Sequence, residues 1–185
     1  MVALLRAILS LGVVTVLLPT GGRPAAGGVC TVTDRALGLS LTVPRTWLRE
    51  PAGKFAPGYL AFVRPQPGRQ EATTELVVEP LGVTKVRDPR RAARAWACGL
   101  TKGLAFPVRH VPVRYGGVPG LMLLGMPGHG STVQIVLVHD GAVYLFVAYG
   151  TTLDVDQRSA LASLRFVPRI GRFPFLQPSP RPCAA

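Results

Sequence analysis

Apolar residues alternate with small or polar ones in several short runs, and in two places they recur at helical spacing instead. Leu37, Leu39, Leu41 and Val43 are separated by Gly38, Ser40 and Thr42, a period of two that predicts a half-buried strand. Pro44 ends it, and Trp47 follows in the turn. Tyr59 to Val63 predicts a second strand, stopped by Pro65 and Pro67, and Thr73 to Val78 a third, rich in β-branched residues. The intervening stretches, Arg49 to Pro57 and Gly68 to Ala72, are polar loops. Asp88 is a good helix N-cap and Pro89 suits the first helical position. Ala92, Trp96, Leu100 and Leu104 then recur at near-helical spacing. Gly99 and Gly103 each weaken a helix by up to ~1 kcal/mol relative to Ala, so fraying is expected after Leu100.

Beyond Val108 the chain reads as strand and turn. Val111, Val113 and Tyr115 alternate, Gly116-Gly117 turns the chain, and Leu121 to Leu124 returns. Pro127 to Gly130 is a second turn, and Val133, Ile135 and Leu137 alternate again. Asp140-Gly141 then favours a type I′ hairpin turn, because both residues tolerate positive φ. Ala142 to Tyr149 is the returning strand. A last helix is expected from Leu153 to about Leu164, with Thr152 as its cap and Asp154 and Asp156 in its first turn. Arg165 to Val167 reads as a short edge strand or packed tail. The Pro-rich segment from Pro168 to Ala185 reads as irregular. One antiparallel sheet with two helices argues an α+β sandwich.

The N-terminal segment changes the picture of where this domain works. Arg6 precedes an apolar run from Ala7 to Leu18, and Pro19 to Gly28 is small and turn-forming. That order is a secretory signal peptide, with cleavage after Gly28 or Gly27. The domain then starts at Val29, in a secreted or envelope location. An uncleaved anchor is the alternative, although the run falls short of the ~20 residues of a membrane span. A lipidated Cys30 is a further alternative, against which Val29 stands where a small residue is required.

The net charge is +12, of which Arg6 and Arg23 leave with the signal. The chain has no Asn, three Lys and three Ile, while Arg, Pro, Gly, Ala and Val abound. Asn, Lys and Ile have AT-rich codons, so a GC-rich bacterial genome accounts for part of the arginine. The remaining charge implies either a solvated surface or an anionic partner, a protein or an envelope surface. Nucleic acid is not expected, because aromatics are not interleaved among the basic residues. The densest cluster is Arg87, Arg90, Arg91 and Arg94, at and just before the first helix. Guanidiniums grouped there could hold phosphate or carboxylate bidentately.

Catalytic constellations are weak. His129 and Ser131, with Asp140 nearby in sequence, supply the residue types of a hydrolase triad. No Gly-x-Ser-x-Gly elbow accompanies them, and His129 is only two residues from Ser131. His110, His129 and His139 lack zinc-site spacing, so no metal and no cofactor is expected. Glu75 and Glu79 on one strand face would be about 13 Å apart, beyond the ~9.5 Å limit of a glycosidase pair. Three cysteines, Cys30, Cys98 and Cys183, allow three pairings in an oxidising compartment. Cys30 with Cys183 is preferred, because chain ends often lie close together. Cys98 could instead be a small buried apolar residue.

Three segments sharpen the fold. "LGLSLTVPRTW" (37–47) resembles the strand, proline and tryptophan entry of the PsbP/Mog1-like superfamily. "VRYGGVPGLMLL" (113–124) is similar to its mid-domain strand, glycine turn and strand. "VHDGAVYLFVAYGTTLDVDQRSALASLRF" (138–166) is similar to its closing hairpin, C-terminal helix and ending. The resemblance spans most of Ala36 to Val167. It implies a central antiparallel sheet flanked by helices, an α/β/α sandwich. It also implies an accessory or binding role without catalysis: a module touching a protein or anionic surface, or an anchored subunit of an envelope complex if the N-terminal segment is retained. It carries over no binding residue.

Overall fold

The structure, a computed structural model, describes residues 27–50, 58–66, 68, 73–128, 130–174 and 182–183. The segment read as a signal lies outside it, apart from Gly27 and Gly28. In chain order the elements are β1 (Val29–Asp34), β2 (Leu39–Pro44), β3 (Leu48–Arg49), β4 (Leu60–Arg64), β5 (Thr73–Val83), α1 (Pro89–Thr101), β6 (Arg109–Tyr115), β7 (Val118–Gly128), β8 (Gly130–His139), β9 (Ala142–Tyr149), α2 (Val155–Ala162) and β10 (Arg165–Phe166). The fold is α+β and every paired strand runs antiparallel.

The strands divide into two sheets. Seven form one sheet in the order β3-β4-β5-β9-β8-β7-β6, and β1, β2 and β10 form a second. Alternation along the central strands explains the layering. Val133, Ile135 and Leu137 of β8, with Tyr144 and Phe146 of β9, face the second sheet and α2. Val136 and Val138, with Val143, Leu145 and Val147, face the side that carries α1. Both faces of β8 and β9 are therefore buried, which is why these strands read as nearly unbroken apolar runs. Each large side chain so buried contributes about 1.5–3 kcal/mol.

Several local expectations reappear in the structure. The β8–β9 connection has φ of 47° at Asp140 and 74° at Gly141, the two positive values a type I′ turn requires. Asp88 caps α1, its carboxylate accepting from the backbone N–H of Arg90 at 2.8 Å and of Arg91 at 3.4 Å, and Pro89 is the first helical residue. Trp96 of α1 lies so close to β5 that a Cβ at Gly82 would come within 2.9 Å of its ring.

Other details differ. The N-cap of α2 is Asp154, not Thr152. Its carboxylate accepts from Gln157 N–H at 2.7 Å, and Gln157 Oε1 accepts from Asp154 N–H at 3.0 Å, a reciprocal box that a threonine two residues earlier cannot make. The segment from 37 to 43 does not join the central sheet but covers it from one side. The stretch after Pro168 has no helix or strand through Pro174, yet Phe173 is buried, edge-on to Tyr144 at 5.0 Å.

The cysteine pairing is also corrected. Cys98 is bonded to Cys183, with Cα atoms 5.8 Å apart, and Cys30 is a free thiol. Cys30 lies on β1, on the face of the large sheet opposite α1. Cys183 is held on α1, its backbone N–H donating to the Ala95 carbonyl at 3.0 Å. The two ends therefore settle on opposite sides of the domain.

Candidate basic groove beside the first helix

The first helix places its chemistry by packing its small residues inward. Ala92, Ala93, Trp96 and Ala97 are buried against the large sheet, while Arg90, Arg91 and Arg94 are exposed. The buried alanines let the helix sit low on β7 and β8. Its arginines therefore stand beside the β6–β7 hairpin rather than far above it.

That hairpin supplies the opposite wall. Pro112 pairs with Leu121 and Arg114 with Pro119, and these residues lie on the α1 face because Val113 and Tyr115, one position away, pack on the other. Arg114 Nη1 donates to the Gly117 carbonyl at 2.6 Å, which anchors the side chain to the glycine turn. Arg90 and Arg94 together with Pro112, Arg114, Pro119 and Leu121 line a groove of about 450 Å³. Three arginines from two elements thus line one groove, and no acidic residue is among the lining residues.

Of the four arginines singled out by sequence, Arg90 and Arg94 line this groove, Arg87 lines a neighbouring cleft, and Arg91 lines neither. Arg114 was not singled out. The usable signal was its alternation with Val113 and Tyr115, which puts it opposite two apolar residues; that the hairpin would lie beside α1 is a tertiary fact.

The hydrolase residues do not assemble with Asp140. His129 and the side chain of Ser131 lie outside the described residues. Along β8, however, the strand residues Thr132 to His139 separate Ser131 from the turn that holds Asp140, a span of roughly 25 Å. His139 stacks on Phe166 with ring centroids 4.0 Å apart, and its Nε2 is 3.3 Å from the Asp140 carboxylate. His110 is exposed on β6. Among the described residues, no three of His, Cys, Asp and Glu converge as metal ligands would.

Glu75 and Glu79 do not share an environment, since the β4–β5 register shifts between Phe62 and Val63 and leaves Glu75 unpaired in both ladders. Glu75 is buried and 3.1 Å from Arg64 Nε, which also approaches Asp154 and Asp156 at the start of α2. Burial holds its carboxyl above the ordinary range, and Arg64 offsets part of that. Glu79 accepts a hydrogen bond from Tyr59 and is likewise raised above 4.5, by burial first. Burial also pushes the Tyr144 hydroxyl up to about 12, and that hydroxyl donates to the Leu37 carbonyl at 2.8 Å.

A raised carboxyl favours folding in its protonated form. The stabilisation is present below the unfolded value and is lost as pH rises through the folded one. Glu79→Gln keeps an acceptor for Tyr59 and cannot ionise. The variant is expected to be at least as stable as the parent at pH 7. Urea midpoints measured from pH 4 to 7 should show the parent's advantage shrinking as pH rises. An advantage that grows instead would refute the assignment.

No family model and no curated protein matches this chain. Among solved structures it is similar to the solution structure of cyanobacterial PsbP (CyanoP) from Synechocystis sp. PCC 6803, at 12% sequence identity and a TM-score of 0.46, over 80% of this chain and 99% of that one.

Proposed function

We propose that this protein is an exported, non-enzymatic binding module that contacts an anionic partner through the basic face of α1. The carrying observation is the convergence of Arg90, Arg94 and Arg114 on one groove whose lining holds no carboxylate. Like charges brought together at a surface raise the local potential and draw in an opposite charge. Export is supported by the order of charged, apolar and small residues over 1–28. The Cys98–Cys183 bond supports it as well, since such bonds persist in oxidising compartments. The separation of Ser131 from Asp140 along β8 supports a role without triad chemistry.

The reading is tested on a sulfated or carboxylated matrix with a salt gradient. Arg90→Gln/Arg94→Gln is expected to elute at clearly lower salt than the parent with an unchanged circular dichroism spectrum, because both side chains are exposed. Elution at the same salt, despite the loss of two charges from this face, would refute the basic face as the contact.

A further inference from the structure

Two clefts meet along the N-terminal half of α1. The groove described above lies on one side. The second, of about 350 Å³, includes Lys85, Arg87, Pro89, Val118 and His139 in its lining, together with the Asp140 carboxylate, which lies 3.3 Å from His139 Nε2. Their walls are consecutive in sequence on both sides. Pro89 lines the second and Arg90 the first; Val118 lines the second and Pro119 the first. The two clefts are therefore one track between α1 and the β7 strand. Basic side chains mark its length: Arg94 and Arg114, then Arg90, then Arg87 and Lys85. From Arg87 to Arg94 the backbone advances about 10 Å, and from Val118 to Leu121 about the same.

We propose that this track binds an extended acidic peptide segment of a protein partner, an inference that rests on the basic-face reading above. The lining chemistry selects the class. In the groove's half the lining residues with side chains on the α1 face are three arginines, two prolines and a leucine. Guanidinium offers donors and no acceptor, so the groove's half matches carboxylates, which only accept, better than glycan hydroxyls, whose O–H donors meet no side-chain acceptor there. An extended segment alternating Glu or Asp with apolar residues turns its two kinds of side chain to opposite sides. One set meets the arginines and the other the surface of Pro112, Pro119 and Leu121. Arg114 is already anchored on the Gly117 carbonyl, so little freedom is lost when it pairs.

A flat lipid surface fits less well. Among the described residues, the exposed large apolar side chains Val29, Leu48, Val83, Phe106 and Ile170 line neither cleft, and Val83, next to Thr84 and Lys85, is the single one adjoining the track in sequence. The peptide also does not join the sheet as an eighth strand. Pro112, in the middle of the edge strand β6, has no N–H to offer, so recognition runs through side chains.

The test is fluorescence anisotropy with a fluorescein-labelled peptide of about six residues alternating Glu and Leu, long enough to span roughly 20 Å. The Gln-for-Glu peptide is the control, and vesicles of phosphatidylglycerol and phosphatidylcholine in equal parts are the competitor class. The acidic peptide is expected to bind at low salt and the Gln peptide not to bind. Arg90→Gln/Arg94→Gln should weaken binding at least tenfold, and Lys85→Gln/Arg87→Gln, at the other end of the track, should weaken it several-fold. Unchanged affinity in the Lys85/Arg87 variant would overturn the single track. Arginine-dependent vesicle binding without peptide binding would overturn the partner class and leave the basic face standing. If neither probe binds and matrix elution is also insensitive to the arginines, the underlying basic-face reading fails as well.

Discussion

Removing the Cys98–Cys183 bond should lower the stability of the oxidised protein by roughly 2–4.5 kcal/mol, the span from typical disulfides to the chain-entropy value for a loop this long. The cysteines are 85 residues apart. The loop between them holds β6 to β10 and α2, so the bond restrains half of the unfolded chain. It also meets α1 where the helix is weakest, next to Gly99 and shortly before Gly103. Against a net stability of about 5–15 kcal/mol, such a loss is large. Urea unfolding of Cys98→Ser/Cys183→Ser should show a lower midpoint, and the parent with its disulfide reduced should unfold at about the same concentration. Cys30→Ser should stay close to the oxidised parent. A large effect from Cys30→Ser and none from the double variant would mean that the pairing is different.

The second large effect is expected at Gln157, which is only 1% exposed. Its amide donates to the Glu75 and Tyr149 carbonyls, each at 3.1 Å, while its oxygen accepts from Asp154 N–H. The Glu75 carbonyl belongs to the bulged residue that neither neighbouring strand pairs, so the side chain of α2 supplies what the ladder does not. Gln157→Ala removes the reciprocal cap and leaves carbonyls without donors inside the protein. The buried Glu75 carbonyl left unpaired costs about 1–3 kcal/mol and the cap about 1 kcal/mol, while the Tyr149 carbonyl is only partly buried, so a loss of at least roughly 2–4 kcal/mol is expected. Thermal or urea unfolding measures it. Arg64 remains beside Glu75 in the variant, so the effect isolates the amide. A cost no larger than a lost cap would show that the sheet carbonyls do not depend on Gln157.

Much of this architecture was legible in the sequence because its causes are local. Asp88-Pro89 at the start of α1, Asp140-Gly141 between β8 and β9, and the alternation along β2, β6 and β8 each act within a few residues. What was not legible depends on partners distant in sequence. Strand β3 is two residues long and exists only because Leu48 and Arg49 meet Val63 and Phe62. Strand β1 alternates only weakly and is half exposed, so its pairing with β2 had no strong apolar signature. The bulge at Glu75 is a property of two strands together. Alternation shows which side of a strand is buried and not what buries it, so the second sheet was read as part of the first. At the groove, the helix arginines followed from spacing, whereas Arg114 and its prolines became neighbours only through packing. The cysteines illustrate the same limit: proximity of chain ends is a general tendency, and here Cys183 is instead tethered to α1.

The large sheet ends in β3 on one side and β6 on the other, and these two strands decide how that sheet meets another copy of the chain. An exposed strand edge is a template on which another copy can add its own backbone, the first step of aggregation. One edge is two residues long, too short to template growth. The other is long enough, but Pro112 interrupts its row of donors, and Arg109 and Arg114 set like charge against like as a second copy approaches. The same strand that helps wall the groove is therefore a poor seed for fibrils, and the charge drawn up for a partner also keeps identical molecules apart.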